Sequence, residues 1–245
     1  MKGLPPSGGV APKVVEWLPM ERHFDEDLKA LKERILRMGS LAEEMFQKAV
    51  KALFERSDAL TQEVFELEKE VNQLHVEMDD RCLKLFALHQ PMAIDLRTIT
   101  AVLRINNDLE RIGDQAVNIG QTCYYHLFKE TPVPQFSMIQ RMADISQKML
   151  KDSLDAFSTK NVDLAKDVLG MDEKEDELKR EAITRLIELV KGDPDHAVQF
   201  VDLILLAKNI ERIGDHATNI AEDVIFMVLG KDIRHHLGEE PAAAS

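Results

Sequence analysis

The sequence predicts an all-α protein: six long antiparallel helices arranged as two pseudo-symmetric three-helix bundles. Three observations carry this expectation. Apolar residues recur at helical spacing through most of the chain. Proline and glycine cluster at only a few places. A segment near the end of the first half returns near the end of the second.

The first helix is expected over residues 24–56, where Leu28, Leu31, Ile35, Met38, Leu41, Met45, Ala49, Ala52 and Leu53 form one stripe. Ser57-Asp58 supplies a break and an N-cap. A second helix then runs to about residue 89, with Val64, Leu67, Val71, Leu74, Met78 and Leu85 on one face. Pro91 ends it, because proline disfavours α geometry in the residue before it. The third helix covers about 92–128. The Thr131-Pro132-Val133-Pro134 segment is the longest internal break and marks the boundary between halves. A fourth helix is expected over 137–158, with Ile139, Met142, Ile145, Met149, Leu150 and Phe157 inward. Lys160-Asn161 makes a turn into a fifth helix over 162–191, closed by Gly192-Asp193-Pro194. The sixth spans 195–229 and stops at Gly230. No segment shows the strict alternation of a strand. The domain reading is therefore a tail at 1–20, repeats at 21–130 and 131–236, and a second tail at 237–245.

The repeat is explicit. Residues 108–120 align with residues 209–221 at an offset of 101, with 8 of 13 positions identical. Upstream the offset is about 104, which sets Glu68 and Asn72 opposite Asp172 and Asp176. An internal repeat of this kind means one structural unit used twice.

Composition narrows the function. The chain has 245 residues and a formal net charge of −13, with no basic stripe. Nucleic-acid backbones call for a basic excess, so direct nucleic-acid binding is not expected. Acidic excess suits cations or a basic partner surface. Only two cysteines occur, Cys82 and Cys123, and neither belongs to a CxxC pair. No apolar run approaches a membrane span, and the first 20 residues lack the apolar core of a secretory signal. A cytoplasmic protein is expected.

The chemistry lies in the repeated Glu-Arg-Ile-Gly-Asp. Glu110 and Asp114, and again Glu211 and Asp215, stand four apart on a helix, so both carboxylates share a face. Like charges at that spacing repel by a few tenths of a kcal/mol. One such pair in a charged chain is an ordinary solvated face. Two at equivalent places in a duplicated bundle point to a cation, since carboxylate oxygens suit hard metals. The second helix of each half offers oxygen ligands at the same spacing: Glu68 with Asn72, and Asp172 with Asp176. If these helices face each other, each half presents a four-residue polar patch, and the all-carboxylate second patch is expected to bind metal more tightly. Gly113 and Gly214, between the acids, suggest close helix approach or room beside a metal. Arg111 and Arg212 are candidates to pair with a neighbouring helix. His216 is expected to face solvent, as are His235 and His236, and Arg97 to tie helix starts together. No Ser/His/Asp or Cys/His nucleophile arrangement and no phosphate-cradling glycine loop is present, so no catalysis is expected. The rival reading is a carboxylate-bridged metalloenzyme on a helical bundle.

At these motifs the sequence resembles the PhoU family. The resemblance rests on residues 209–222, on Gly230-Lys231-Asp232-Ile233-Arg234-His235 downstream, on Glu110-Arg111-Ile112-Gly113-Asp114, on Gln90-Pro91 and on Asp95-Leu96-Arg97. It covers about residues 24–235; the first 20 residues resemble an extension outside it. The resemblance implies multinuclear metal sites on acidic motifs, here Glu68, Asn72, Glu110 and Asp114, then Asp172, Asp176, Glu211 and Asp215. Asn72 departs from an all-carboxylate pattern. The metals implied are divalent or trivalent ions such as iron, zinc, manganese or magnesium. It implies negative regulation of the phosphate-starvation (Pho) response and of Pst phosphate uptake. The implied partners are the ATPase subunit of the Pst phosphate ABC transporter and a PhoR-type sensor histidine kinase. Homodimers are implied too, and membrane association only through partners.

Overall fold

The computed structural model describes residues 18–130 and 137–234. Six α-helices make up the fold: α1 (Leu18–Glu55), α2 (Asp58–His89), α3 (Ala93–Tyr125), α4 (Ser137–Thr159), α5 (Val162–Gly192) and α6 (Ala197–Leu229). No strand occurs among the described residues. Helices α1–α3 pack on one another, as do α4–α6; α3 lies along α6, and α1 touches α4. The two bundles share one continuous apolar core.

Periodicity explains the packing. In α2 the buried set Thr61, Val64, Val71, Leu74, Met78, Cys82 and Leu85, with partly buried Leu67 between Val64 and Val71, repeats every three or four residues. Side chains such as Met78 and Ile112 are fully buried, each worth about 1.5–3 kcal/mol over exposure. The expected inward face of α4 is largely buried, with Ile145 only partly so.

The duplication extends to the hairpin turns. Arg56 and Lys160, which occupy matched positions, both adopt left-handed backbone, with φ of 51° and 55°. Each is followed by an N-cap. Ser57 Oγ accepts from the Leu60 amide at 3.3 Å, and Asn161 Oδ1 accepts from the Asp163 and Leu164 amides at 3.0 and 3.1 Å. Both caps satisfy amides that a helix start otherwise leaves open.

Several boundaries differ from expectation. Helix α1 starts at Leu18, not residue 24, so residues 18–20 belong to a helix and not to a tail. Pro19 sits in its first turn, where a missing N–H costs nothing. Helix α3 stops at Tyr125, and a 3-10 turn, Leu127–Lys129, continues it. Gly192 is the last residue of α5 instead of lying beyond it. A second 3-10 turn, Pro194–His196, precedes α6. Gly230 caps α6 in left-handed geometry, φ 68°. The expected tails at 1–17 and 237–245, and His235 and His236, lie outside the described residues.

Candidate functional site

Packing α2 against α3 and α5 against α6 gathers two acidic clusters at matched places. In the first, Glu68 of α2 stands beside Asp114 and Glu110 of α3 and hydrogen-bonds Asn72. Burial, then the charge of Asp114, raises the Glu68 carboxyl above its ordinary value, while Asn72 pulls the other way. All four sequence-predicted residues of the first half thus come together. Arg111 answers the acids of its own helix and not a neighbour's: Nε lies 3.6 Å from Glu110 and Nη1 3.4 Å from Asp114.

The second cluster is denser. Asp172 and Asp176 on α5 face Glu211 and Asp215 on α6. Desolvation of its carboxyl group, helped by Glu211 and Asp172, raises Asp215 to about 6. Burial and Asp176 raise Asp172. Two further residues complete it, and neither was read from the sequence. Lys179 Nζ donates to Asp176 Oδ1 at 2.6 Å and Glu211 Oε1 at 2.5 Å. Burial opposes its charge, but those two hydrogen bonds outweigh burial and hold the ammonium above its ordinary pKa. Glu175 is 2% exposed. Burial, then Glu211, pushes it from 4.5 to about 8, with Ser146 Oγ 3.5 Å from its Oε1. Ser146 donates more closely to its own helix, at 3.1 Å from Met142 O.

Matching the halves shows what is different. Val71 occupies the position of Glu175, Ala42 that of Ser146, and His75 that of Lys179. The glycines read the same way. A Cβ on Gly113 would meet Val71 and Met45 at 3.5 and 3.6 Å; one on Gly214 would meet Glu175 and Met149, both at 3.7 Å. These are ordinary contacts, so helix approach admits a methyl group at both sites and does not by itself demand glycine.

No three His, Cys, Asp or Glu side chains among the described residues converge on one metal-sized point. The donors nonetheless suit a hard cation: oxygen atoms, several of them desolvated and raised by one another's charge. Lys179 already places a monovalent cation between two of the predicted ligands of the second cluster.

Other expectations fare unevenly. His216 does not simply face solvent: its Nδ1 lies 2.8 Å from Asp108 Oδ1 across the α3–α6 seam. Arg97 donates to Met227 O at 3.4 Å, joining the start of α3 to the end of α6. Both cysteines are buried and free, and burial pushes each thiol up to about 12, which makes them unreactive. No helix of the described residues is long and apolar enough to cross a membrane.

Comparison with known proteins agrees with this architecture. Residues 35–123 and 139–224 each match the family described as the PhoU domain. A phosphate-specific transport system accessory protein PhoU homolog from Caulobacter vibrioides is 37% identical over 213 residues, covering 86% of this chain and 92% of that protein. Its counterpart from Pseudomonas putida is 35% identical, over 88% of this chain and 84% of that protein. The crystal structure of PhoU from Pseudomonas aeruginosa superposes with a TM-score of 0.83 at 34% identity, covering 85% of this chain and all of that one.

Proposed function

The chain belongs to the PhoU family, and from that membership we propose that it is a non-enzymatic regulator of phosphate homeostasis. In this reading it is an accessory protein that binds hard cations and lowers both the phosphate-starvation (Pho) response and Pst uptake. It does so in the cytoplasm, through the ATPase subunit of a Pst-type transporter and a PhoR-type sensor kinase, as a homodimer. The observation that carries the reading is the extent of the match. Relatives named as phosphate-specific transport system accessory protein PhoU homologs align over 86–88% of this chain and 84–92% of their own length, and both repeats match the family.

The acidic clusters support the cation part. Glu68, Asn72, Glu110 and Asp114 would hold one cation group, and Asp172, Asp176, Glu211 and Asp215 another. Bound divalent cations supply positive charge that neutralises facing carboxylates on two helices. The chain's own residues do the rest: they fix the ligand spacing and, in the second cluster, supply a competing ammonium from Lys179. The metalloenzyme alternative draws on Glu175, a carboxyl raised to about 8, but that group is closed off from solvent at 2% exposure, and a general acid must reach its substrate.

Deleting the gene is expected to derepress alkaline phosphatase under phosphate excess. Complementation with the Glu211→Gln/Asp215→Asn variant is expected to restore repression only in part. Unchanged phosphatase on deletion would contradict the regulatory reading.

A further inference from the structure

The seam between α3 and α6 is antiparallel and pseudo-symmetric, so each of its ends should carry equivalent chemistry. One end is closed by ion pairs. Arg104 Nη1 donates to Asp223 Oδ1 at 3.0 Å, and its guanidinium lies 4.8 Å from the centroid of the Phe226 ring. Asp108 Oδ1 lies 2.8 Å from His216 Nδ1 and accepts from Asn219 Nδ2 at 3.1 Å.

The other end is open. At the positions matched to Arg104, Asp108, Glu222 and Asp223 stand Leu205, Asn209, Gln121 and Thr122. Every acid of the closed end has become a neutral polar residue, and Asn107 is matched by Lys208. What results is a groove of about 350 Å³, lined among others by Asn118, Gln121, Lys208, Asn209 and Arg212, with no carboxylate in its wall. That volume lies at the small end of small-molecule sites.

The chain is acidic, with 44 Asp and Glu against 31 Lys and Arg, yet this groove carries two cations. Lys208 and Arg212 stand four apart on α6, where like charges repel, and neither forms an ion pair among the described residues. Thr122 spends its hydroxyl proton on Asn118 O at 2.9 Å. The side-chain amides of Asn118, Gln121 and Asn209 donate to no described residue and so leave N–H groups for a ligand. Tyr125 and Leu205 give the groove an apolar wall. His126 lies at its edge, with Nδ1 3.2 Å from Asp202.

We propose that this α3–α6 groove binds a phosphoryl group, as free phosphate or as a small phosphate ester, between Lys208 and Arg212 and the amides of Asn118, Gln121 and Asn209. Two cations spaced to share one oxyanion, three amide donors and the absence of any wall carboxylate make the site complementary to a tetrahedral dianion. The apolar wall is where the organic part of an ester lies. The acidic clusters take no part, and the site is expected to function without metal.

Calorimetric titration of the full chain in EDTA, at about 0.1 M salt, tests this with inorganic phosphate in one arm and adenosine monophosphate in the other. Saturable binding tighter than about 1 mM in at least one arm is expected. Tighter phosphate identifies the free ion; tighter nucleotide identifies an ester. Lys208→Ala/Arg212→Ala, at two exposed positions, should weaken binding roughly tenfold or more. Lys174→Ala/Arg180→Ala removes the same charge from α5 and should leave binding unchanged. Side-chain amide resonances of Asn118, Gln121 and Asn209 should shift on titration. Absence of saturation in both arms, equal weakening by the two double variants, or shifts confined to other residues would overturn the proposal.

Discussion

The two bundles share a plan but handle buried charge differently. In the first, α2 presents Val71 where α5 presents Glu175, and the acids of the cluster are met by an amide and by an arginine of the same helix. In the second, an acid has entered the core, a serine stands beside it, and Lys179 bridges α5 to α6. Duplication kept the acidic spacing, while the second copy became a denser cluster in which Lys179 offsets part of the negative charge. The second bundle therefore depends on charge balance where the first depends on packing.

The largest expected effect follows from Lys179. Lys179→Met leaves Asp176 and Glu211 facing each other without their ammonium. Removing one partner of a partly buried charge network should cost roughly 2–3 kcal/mol in metal-free protein. Thermal unfolding in EDTA checks this, and added manganese should recover most of the loss. The corresponding change in the first bundle, His75→Met, should cost less and should not respond to manganese.

Next comes Glu175→Val, which makes the second core resemble the first. Replacing a buried, poorly partnered carboxyl with the apolar residue that the first bundle places at the matched position should stabilise the metal-free protein by roughly 1–2 kcal/mol at neutral pH. The gain depends on pH with a definite sign. Glu175 binds its proton more tightly folded than unfolded, since its folded pKa is raised from 4.5 to about 8. The wild type therefore loses stability as pH rises through that window. The advantage of the variant should grow as pH rises from about 5 to about 8 and then level off. A constant difference across that range would show that Glu175 titrates normally.

The smallest effect separates the two turns. Asn161 caps two amides and Ser57 one. Asn161→Ala should cost about 1 kcal/mol and Ser57→Ala somewhat less, readable in urea unfolding. A larger loss at Ser57 would reverse this ranking.

Most of the fold was legible because six amphipathic stripes, sparse breakers and a repeated motif agree with one another. The grouping of Glu68, Asn72, Glu110 and Asp114, and of Asp172, Asp176, Glu211 and Asp215, was legible because i, i+4 spacing puts polar groups on one helix face. Glu175 and Lys179 were not, for different reasons. Glu175 sits on the apolar stripe of α5 with Val168, Leu178 and Ala182, where periodicity alone suggests a core residue. The signal that finds it is the 104-residue offset, which sets an acid against Val71. Lys179 is matched to a histidine, so the repeat does not mark it. The Asp108–His216 contact needed the packing of α3 on α6, which no local pattern specifies. The early start of α1 was hidden by Pro19, a residue that ends most helices but is tolerated in a first turn.

The two proposed cation sites are expected to differ in strength, the stronger lying on α5 and α6. Manganese titration of chelator-stripped protein tests this expectation most directly. The wild type should show two classes of site. Glu211→Gln/Asp215→Asn should remove the tighter class, and Glu110→Gln/Asp114→Asn the weaker. Binding that survives both pairs of substitutions, or a tighter class lost with Glu110 and Asp114, would contradict it.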